Sequence, residues 1–154
     1  MTGRGVPENG APLTTRTERP DQIEDEIMSE RRTKALQILS KMLPPEIFTQ
    51  VKKEGPAAKF ADEMSDLALN SVFEPLWTDD RLDLRTRSLI TVAILVALRS
   101  EEELAIHVPA AIRNGATVAE IEQLIYQAAG YAGFPAASTA RNVAAKALSA
   151  AGML

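Results

Sequence analysis

With 154 residues, of which 45% are hydrophobic and 25% charged, the chain has the size and balance of one globular domain with a real core. Its 17 basic and 21 acidic residues leave a formal charge of −4, the wrong sign for gripping phosphate backbones, so no nucleic acid partner is expected. The absence of cysteine removes disulfides, thiolate nucleophiles, CxxC redox chemistry and Cys-based metal sites. With a single histidine and no calcium-loop spacing, no metal is expected either.

The first residues, MTGRGVPENGAPLTTRTERP, hold too little apolar surface to offset the entropy of ordering, so residues 1–21 read as a disordered tail and 22–154 as one helical domain. From Asp21 the apolar residues Ile23, Ile27, Met28, Ala35, Leu36, Leu39, Met42 and Leu43 recur at three- and four-residue steps. That predicts an amphipathic helix ending at Pro44-Pro45. A short helix over 46–53 stops near Gly55-Pro56. Phe60, Met64, Leu67, Ala68 and Val72 form the stripe of the next, with Pro75 and Trp77 in the connection after it.

Residues 82–99, LDLRTRSLITVAILVALR, begin charged and become apolar on every side, the pattern of a central helix buried by its neighbours. The apolar run 89–98 is only about half of the roughly 20 residues that span a bilayer. No cationic-then-apolar leader opens the chain, so no membrane partner is expected and the cytoplasm is the expected location. Two S/T-x-x-E capping boxes, Ser100 with Glu103 and Thr117 with Glu120, announce two further helices; the first stops at Asn114-Gly115, and the second carries Ile121, Leu124, Ile125, Ala128 and Ala129 on one face. A final helix starts at Pro135. Alanine supplies 24 residues, 18 of them after Val92, which lets helices approach closely. The fold class is therefore all-α, with six to seven helices and no sheet pattern.

Chemistry points first to Glu103 and His107. Four residues apart on one helix, they lie about 40° apart around its axis, so the carboxylate is placed to orient the imidazole as a general acid or base. The alternative is that Glu103 only closes its capping box and His107 is structural. Arg85 and Arg87 point about 200° apart, so at most one of them faces a given site as a carboxylate anchor. The other reading pairs them with Asp79, Asp80 or Asp83. Trp77 and Tyr131 either wall a pocket or plug the core.

Residues 76–137 carry the words DLRTRSL, EEELAIH, NGAT-x-x-EI and YAGFPAA in an order and spacing that closely resemble the carboxymuconolactone decarboxylase family, over about 40% of the chain. The related alkyl hydroperoxidase D-like branch uses a CxxC ahead of the histidine. Here those positions hold Ser100 and Glu103, so peroxidase chemistry is excluded by composition.

The resemblance implies an alkyl hydroperoxidase D-like helical fold, a homo-oligomer (a hexamer or trimer) with sites near subunit contacts, and no cofactor. It further implies a carboxy-lyase acting on a carboxylated unsaturated lactone, converting 4-carboxymuconolactone to the β-ketoadipate enol-lactone in aromatic catabolism. His107 and Glu103 would be catalytic; Arg87, or Arg85 in its place, would bind the substrate's spectator carboxylate, with Trp77 and Tyr131 excluding water. Two alternatives stand beside it: another acid–base lyase, isomerase, cyclase or hydratase on a different lactone or unsaturated acid, and a non-catalytic oligomeric binding protein. Pro109, two residues after His107, and the N-terminal extension are the departures that keep the substrate open.

Overall fold

The structure, a computed structural model, describes residues 19–52, 60, 61 and 63–154. Helix α1 covers Pro20–Met42 and α2 Pro45–Val51. Helix α3, Met64–Ala68, runs directly into a π-helical segment, Leu69–Trp77, and α4 (Leu84–Leu98), α5 (Glu101–Arg113), α6 (Val118–Tyr131) and α7 (Phe134–Ala150) complete the chain. Among the described residues there is no strand, and no helix is long and apolar enough to cross a membrane. Most of the expected tail and the stop at Gly55-Pro56 lie outside the described residues.

Two apolar clusters meet at α5. One gathers Val92 and Val96 of α4, Leu104, Val108 and Ala111 of α5, Ile121 and Ile125 of α6, and Ala137, Ala140, Ala144 and Leu148 of α7. The run of alanines on α7 gives a flat face, so α5 and α6 close onto it without large side chains between the backbones. The other cluster packs Ala35, Leu39 and Met42 of α1 against Leu69 and Trp77 of the π segment and Ala110 of α5. Helix α5 thus serves both cores, and His107 follows Ile106, which packs on the second, and precedes Val108, which belongs to the first.

Local chemistry explains most of the element ends. Asp83 caps α4, accepting from the Thr86 backbone NH at 2.9 Å, and Thr117 and Glu120 form the full capping box that opens α6. Helix α5 stops at Asn114, and Gly115 follows at φ +97°, a left-handed conformation that glycine adopts without strain. Arg113 donates from Nη1 to the Met42 carbonyl at 3.0 Å, satisfying the end of α1 and fixing α5 against it. The buried Ser88 hydroxyl accepts from Asn114 Nδ2 at 2.9 Å and ties α4 to the end of α5.

Several expectations are corrected. Pro75 and Trp77 do not lie in a connection; they belong to the π segment. Pro75 lacks the NH that an α-helical bond to Ser71 requires, and its ring would press on that carbonyl, a conflict that the wider turn relieves. Phe60 precedes α3 and is fully exposed, and Met64, Leu67 and Val72 are also exposed, so the expected stripe is not buried; Leu69 takes its place in the core. Helix α4 is not buried all round. Ser88, Val92 and Val96 face inward, whereas Ile90, Ile94 and Leu98 are 46%, 52% and 68% exposed. Ser100 makes no side-chain cap bond, so only the second of the two capping boxes forms. Pro109 leaves α5 continuous from Glu101 to Arg113.

Candidate active site

Helix α5 sets His107 facing the π segment and α4. Its side chain is 14% exposed, its ring centroid lies 6.4 Å from that of Trp77, and its Nε2 is 3.9 Å from Glu103 Oε2. With no capping box at Ser100, Glu103 is left available to the imidazole, and its side chain is 60% exposed to solvent. Burial pushes the His107 pKa below the ordinary imidazole value, and the attraction of Glu103 offsets this only in part. The free site therefore holds a neutral imidazole at neutral pH, one edge toward a solvated carboxylate.

Arg87 approaches from α4. Its Nη2 donates to the Asp79 carbonyl at 3.0 Å and makes a longer contact with the Leu82 carbonyl at 3.4 Å, so the loop before α4 holds the guanidinium in place. Its Nε is buried and has no hydrogen-bond partner. A buried unmet donor is costly, and the guanidinium that carries it is a fixed planar cation on the cavity wall, the kind of group that suits an anionic oxygen. Asp79 does not pair with it; that carboxylate binds Arg81, whose hydrogen bonds hold its pKa well below the usual range.

These side chains line one cavity of about 300 Å³. His107 and Arg87 supply its charged or chargeable groups and Thr91 a hydroxyl, while Val72, Phe73, Leu76, Trp77, Leu82, Ile90 and Ile94 make the rest apolar. Thr91 Oγ1 is already committed to the Arg87 carbonyl at 3.0 Å. Such a site can fix one carboxylate, leave the remainder of a small ligand in an apolar medium, and present a hydrogen-bond donor and proton carrier to it. Among the described residues no three His, Asp or Glu side chains form a metal-ligating group.

Of the six residues singled out from sequence, the structure brings together His107, Trp77 and Arg87 around the cavity, with Glu103 beside His107. Arg85 is not among the lining residues; it pairs with Glu120 at the start of α6, rather than with any of the expected aspartates. Tyr131 is 86% exposed and lines a different groove of about 330 Å³, between α4 and α6, with Ala93, Ala97 and Leu124. Sequence reasoning missed Phe73, Thr91 and Ile94. The spacing held a signal for each: Phe73 lies four residues before Trp77, and Arg87, Thr91 and Ile94 follow one helical face.

The description of the carboxymuconolactone decarboxylase family matches residues 65–146, a little over half of the chain and the whole span from α3 through most of α7. The chain belongs to the carboxymuconolactone decarboxylase family. It is 42% identical to the 4-carboxymuconolactone decarboxylase of Acinetobacter baylyi over 69 residues, 45% of this chain and 52% of that protein. It is 31% identical to the nitrosuccinic acid decarboxylase npaB of Metarhizium robertsii over 90 residues, 58% of this chain and 63% of that protein. The chain thus spans between half and two thirds of the length of these curated relatives.

Proposed function

We propose that this protein is a carboxy-lyase whose substrate is a small carboxylated unsaturated lactone, 4-carboxymuconolactone being the one that fits best. The observation that carries the reading is an otherwise apolar cavity whose wall carries both the Arg87 guanidinium and His107. Family membership supports it, as do the names of both relatives, which share decarboxylation and differ in the acid.

The chemistry follows from the groups present. Arg87 holds the carboxylate that stays, and the carboxylate that leaves is set among Phe73, Leu76, Ile90 and Ile94, where it loses the water that stabilises its charge once a second copy covers the exposed Ile90 and Ile94. As CO₂ departs, the electron pair of the broken bond moves through the ring alkene to the lactone carbonyl. A hydrogen bond from the His107 imidazole stabilises the oxygen that gains charge. That charge raises the proton affinity of His107, and the imidazolium, recharged from solvent past the exposed Glu103, delivers one proton to carbon. Overall one CO₂ is lost and one proton taken up, with no change of oxidation state that would call for an electron acceptor, and we assign the reaction to the chain's own residues without a cofactor.

We also assign self-association, as a homohexamer or homotrimer, to the open stripe of Ile90, Ile94 and Leu98. Ile90 and Ile94 of this stripe line the cavity, and Ala93 and Ala97 of the same helix line the groove that holds Tyr131. Arg85, committed to Glu120, ties α4 to α6 rather than holding substrate. The test is incubation with 4-carboxymuconolactone and mass analysis of the product. Loss of CO₂ supports the reading, and a product of unchanged mass favours an isomerase on the same scaffold.

A further inference from the structure

The wall that Trp77 presents to His107 is carried by the π segment, and one side chain of α1 bridges from α3 to the middle of that segment. Arg32 donates from Nη1 to Asn70 Oδ1 at 3.0 Å and from Nη2 to Asp66 Oδ1 at 3.3 Å, and Nη1 lies 3.9 Å from Glu74 Oε1. Positions 66, 70 and 74 recur at four-residue steps across the junction from α to π geometry. A slip of one residue in the segment would therefore withdraw at least one acceptor from the guanidinium. The Glu74 side chain is only 5% exposed, and the Arg32 guanidinium 3.9 Å away faces its charge from α1 as an ion pair rather than a hydrogen bond. Phe73 and Trp77 flank this stripe and line the cavity, their ring centroids 6.0 Å apart. Lys34, on the same helix as Arg32, donates to the Thr78 carbonyl at 2.9 Å and secures the far end.

We propose that Arg32 is a positioning residue for the active site: by holding Asp66, Asn70 and Glu74 together it fixes the register of the π segment and keeps Trp77 packed against His107. Only its kinetic consequence rests on the decarboxylase reading. The charged groups near His107 are Glu103 on its own helix and Arg87 from α4, and the π segment adds none to the cavity. Lys146 of α7 lines a separate cavity with Glu101 and Glu102, which does not include His107, and Arg32 and Lys34 of α1 are engaged at the π segment and Thr78. Loosening the clamp thus changes the imidazole by admitting water rather than by bringing a charge to it.

The test uses the full chain, in which one tryptophan and one histidine give unambiguous fluorescence and NMR signals without any substrate. In Arg32→Ala, Trp77 emission moves to longer wavelength and the His107 titration midpoint rises toward the ordinary imidazole value. With 4-carboxymuconolactone, kcat falls roughly 10- to 100-fold, the range expected when reacting groups shift by about an ångström, and KM changes less. Arg32→Lys keeps the charge without the planar fork and recovers only part of each effect. Glu74→Gln gives the same spectroscopic shifts to a smaller extent and carries the decision if Arg32→Ala does not fold. Unchanged emission and an unchanged His107 midpoint in the folded variants overturn the proposal. A protein that turns over no lactone, yet shows both shifts, overturns the decarboxylase reading and leaves the clamp standing.

Discussion

Replacing Arg87 by alanine isolates the anchor. The Arg87 guanidinium lines the cavity, so a substrate carboxylate bound there gains a charge-assisted hydrogen bond. Such bonds contribute about 1.5–3 kcal/mol, and at about 1.4 kcal/mol per tenfold the loss corresponds to a KM raised by about 10- to 140-fold. The spectator carboxylate is equally charged before and during C–C cleavage, so its anchor binds ground state and transition state alike, and kcat stays within a few-fold. Steady-state kinetics measures the split, and quenching of Trp77 by a non-reacting lactone acid gives the binding constant independently. The same substitution frees the Asp79 and Leu82 carbonyls, so a loss of about 1–3 kcal/mol of stability accompanies it in denaturant unfolding. An unchanged KM in a folded Arg87→Ala protein, or a collapse of kcat at constant KM, would refute the anchoring role.

Three further outcomes follow from the same geometry. His107 has its pKa lowered by burial, so between that value and about 6.5 the unfolded chain binds more protons than the folded one. Its contribution is fully present above the unfolded value and is lost as pH falls through the folded one; denaturant midpoints should decline over that window in the wild type and decline less in His107→Gln. Arg99 ends α4 at φ +58°, a conformation that costs a non-glycine residue about 1 kcal/mol, so Arg99→Gly should stabilise the protein by about that amount in thermal unfolding. Thr117→Ala should cost about 1 kcal/mol and Ser100→Ala little, because only Thr117 accepts a capping bond; equal costs would contradict the assignment of caps.

The helices from 84 onward were legible because local punctuation marks most of their ends: Asn114-Gly115, the Thr117 box and Pro135 act within one turn of the chain, although the Ser100 box expected to open α5 does not form. The π segment was not legible, since Pro75 reads locally as a break and only tertiary packing of Trp77 and Leu69 against α1 makes a wide helical turn worth keeping. Helix α4 misled for a different reason. Its apolar outer face, Ile90 and Ile94, looks the same in sequence as its inner face, Val92 and Val96, because periodicity reports hydrophobicity and not what covers it. At the site, the Glu103 and His107 pairing followed from helical spacing alone. The choice of Arg87 over Arg85 did not: it depends on the carbonyls of a preceding loop and on Glu120 from α6 taking Arg85, contacts that no local pattern encodes. Tyr131, named with the site from sequence, lies in a separate groove for a similar reason, since the end of α6 packs along α4 away from His107.

The central claim is that C–C cleavage takes place in the cavity over His107. Mass-resolved turnover of 4-carboxymuconolactone by the wild type and by His107→Gln, both verified as folded, tests it most directly. The account predicts release of CO₂ by the wild type and a rate lower by roughly 10²- to 10⁴-fold in the variant, the usual span for losing a general acid–base group. Wild-type turnover by His107→Gln would contradict it.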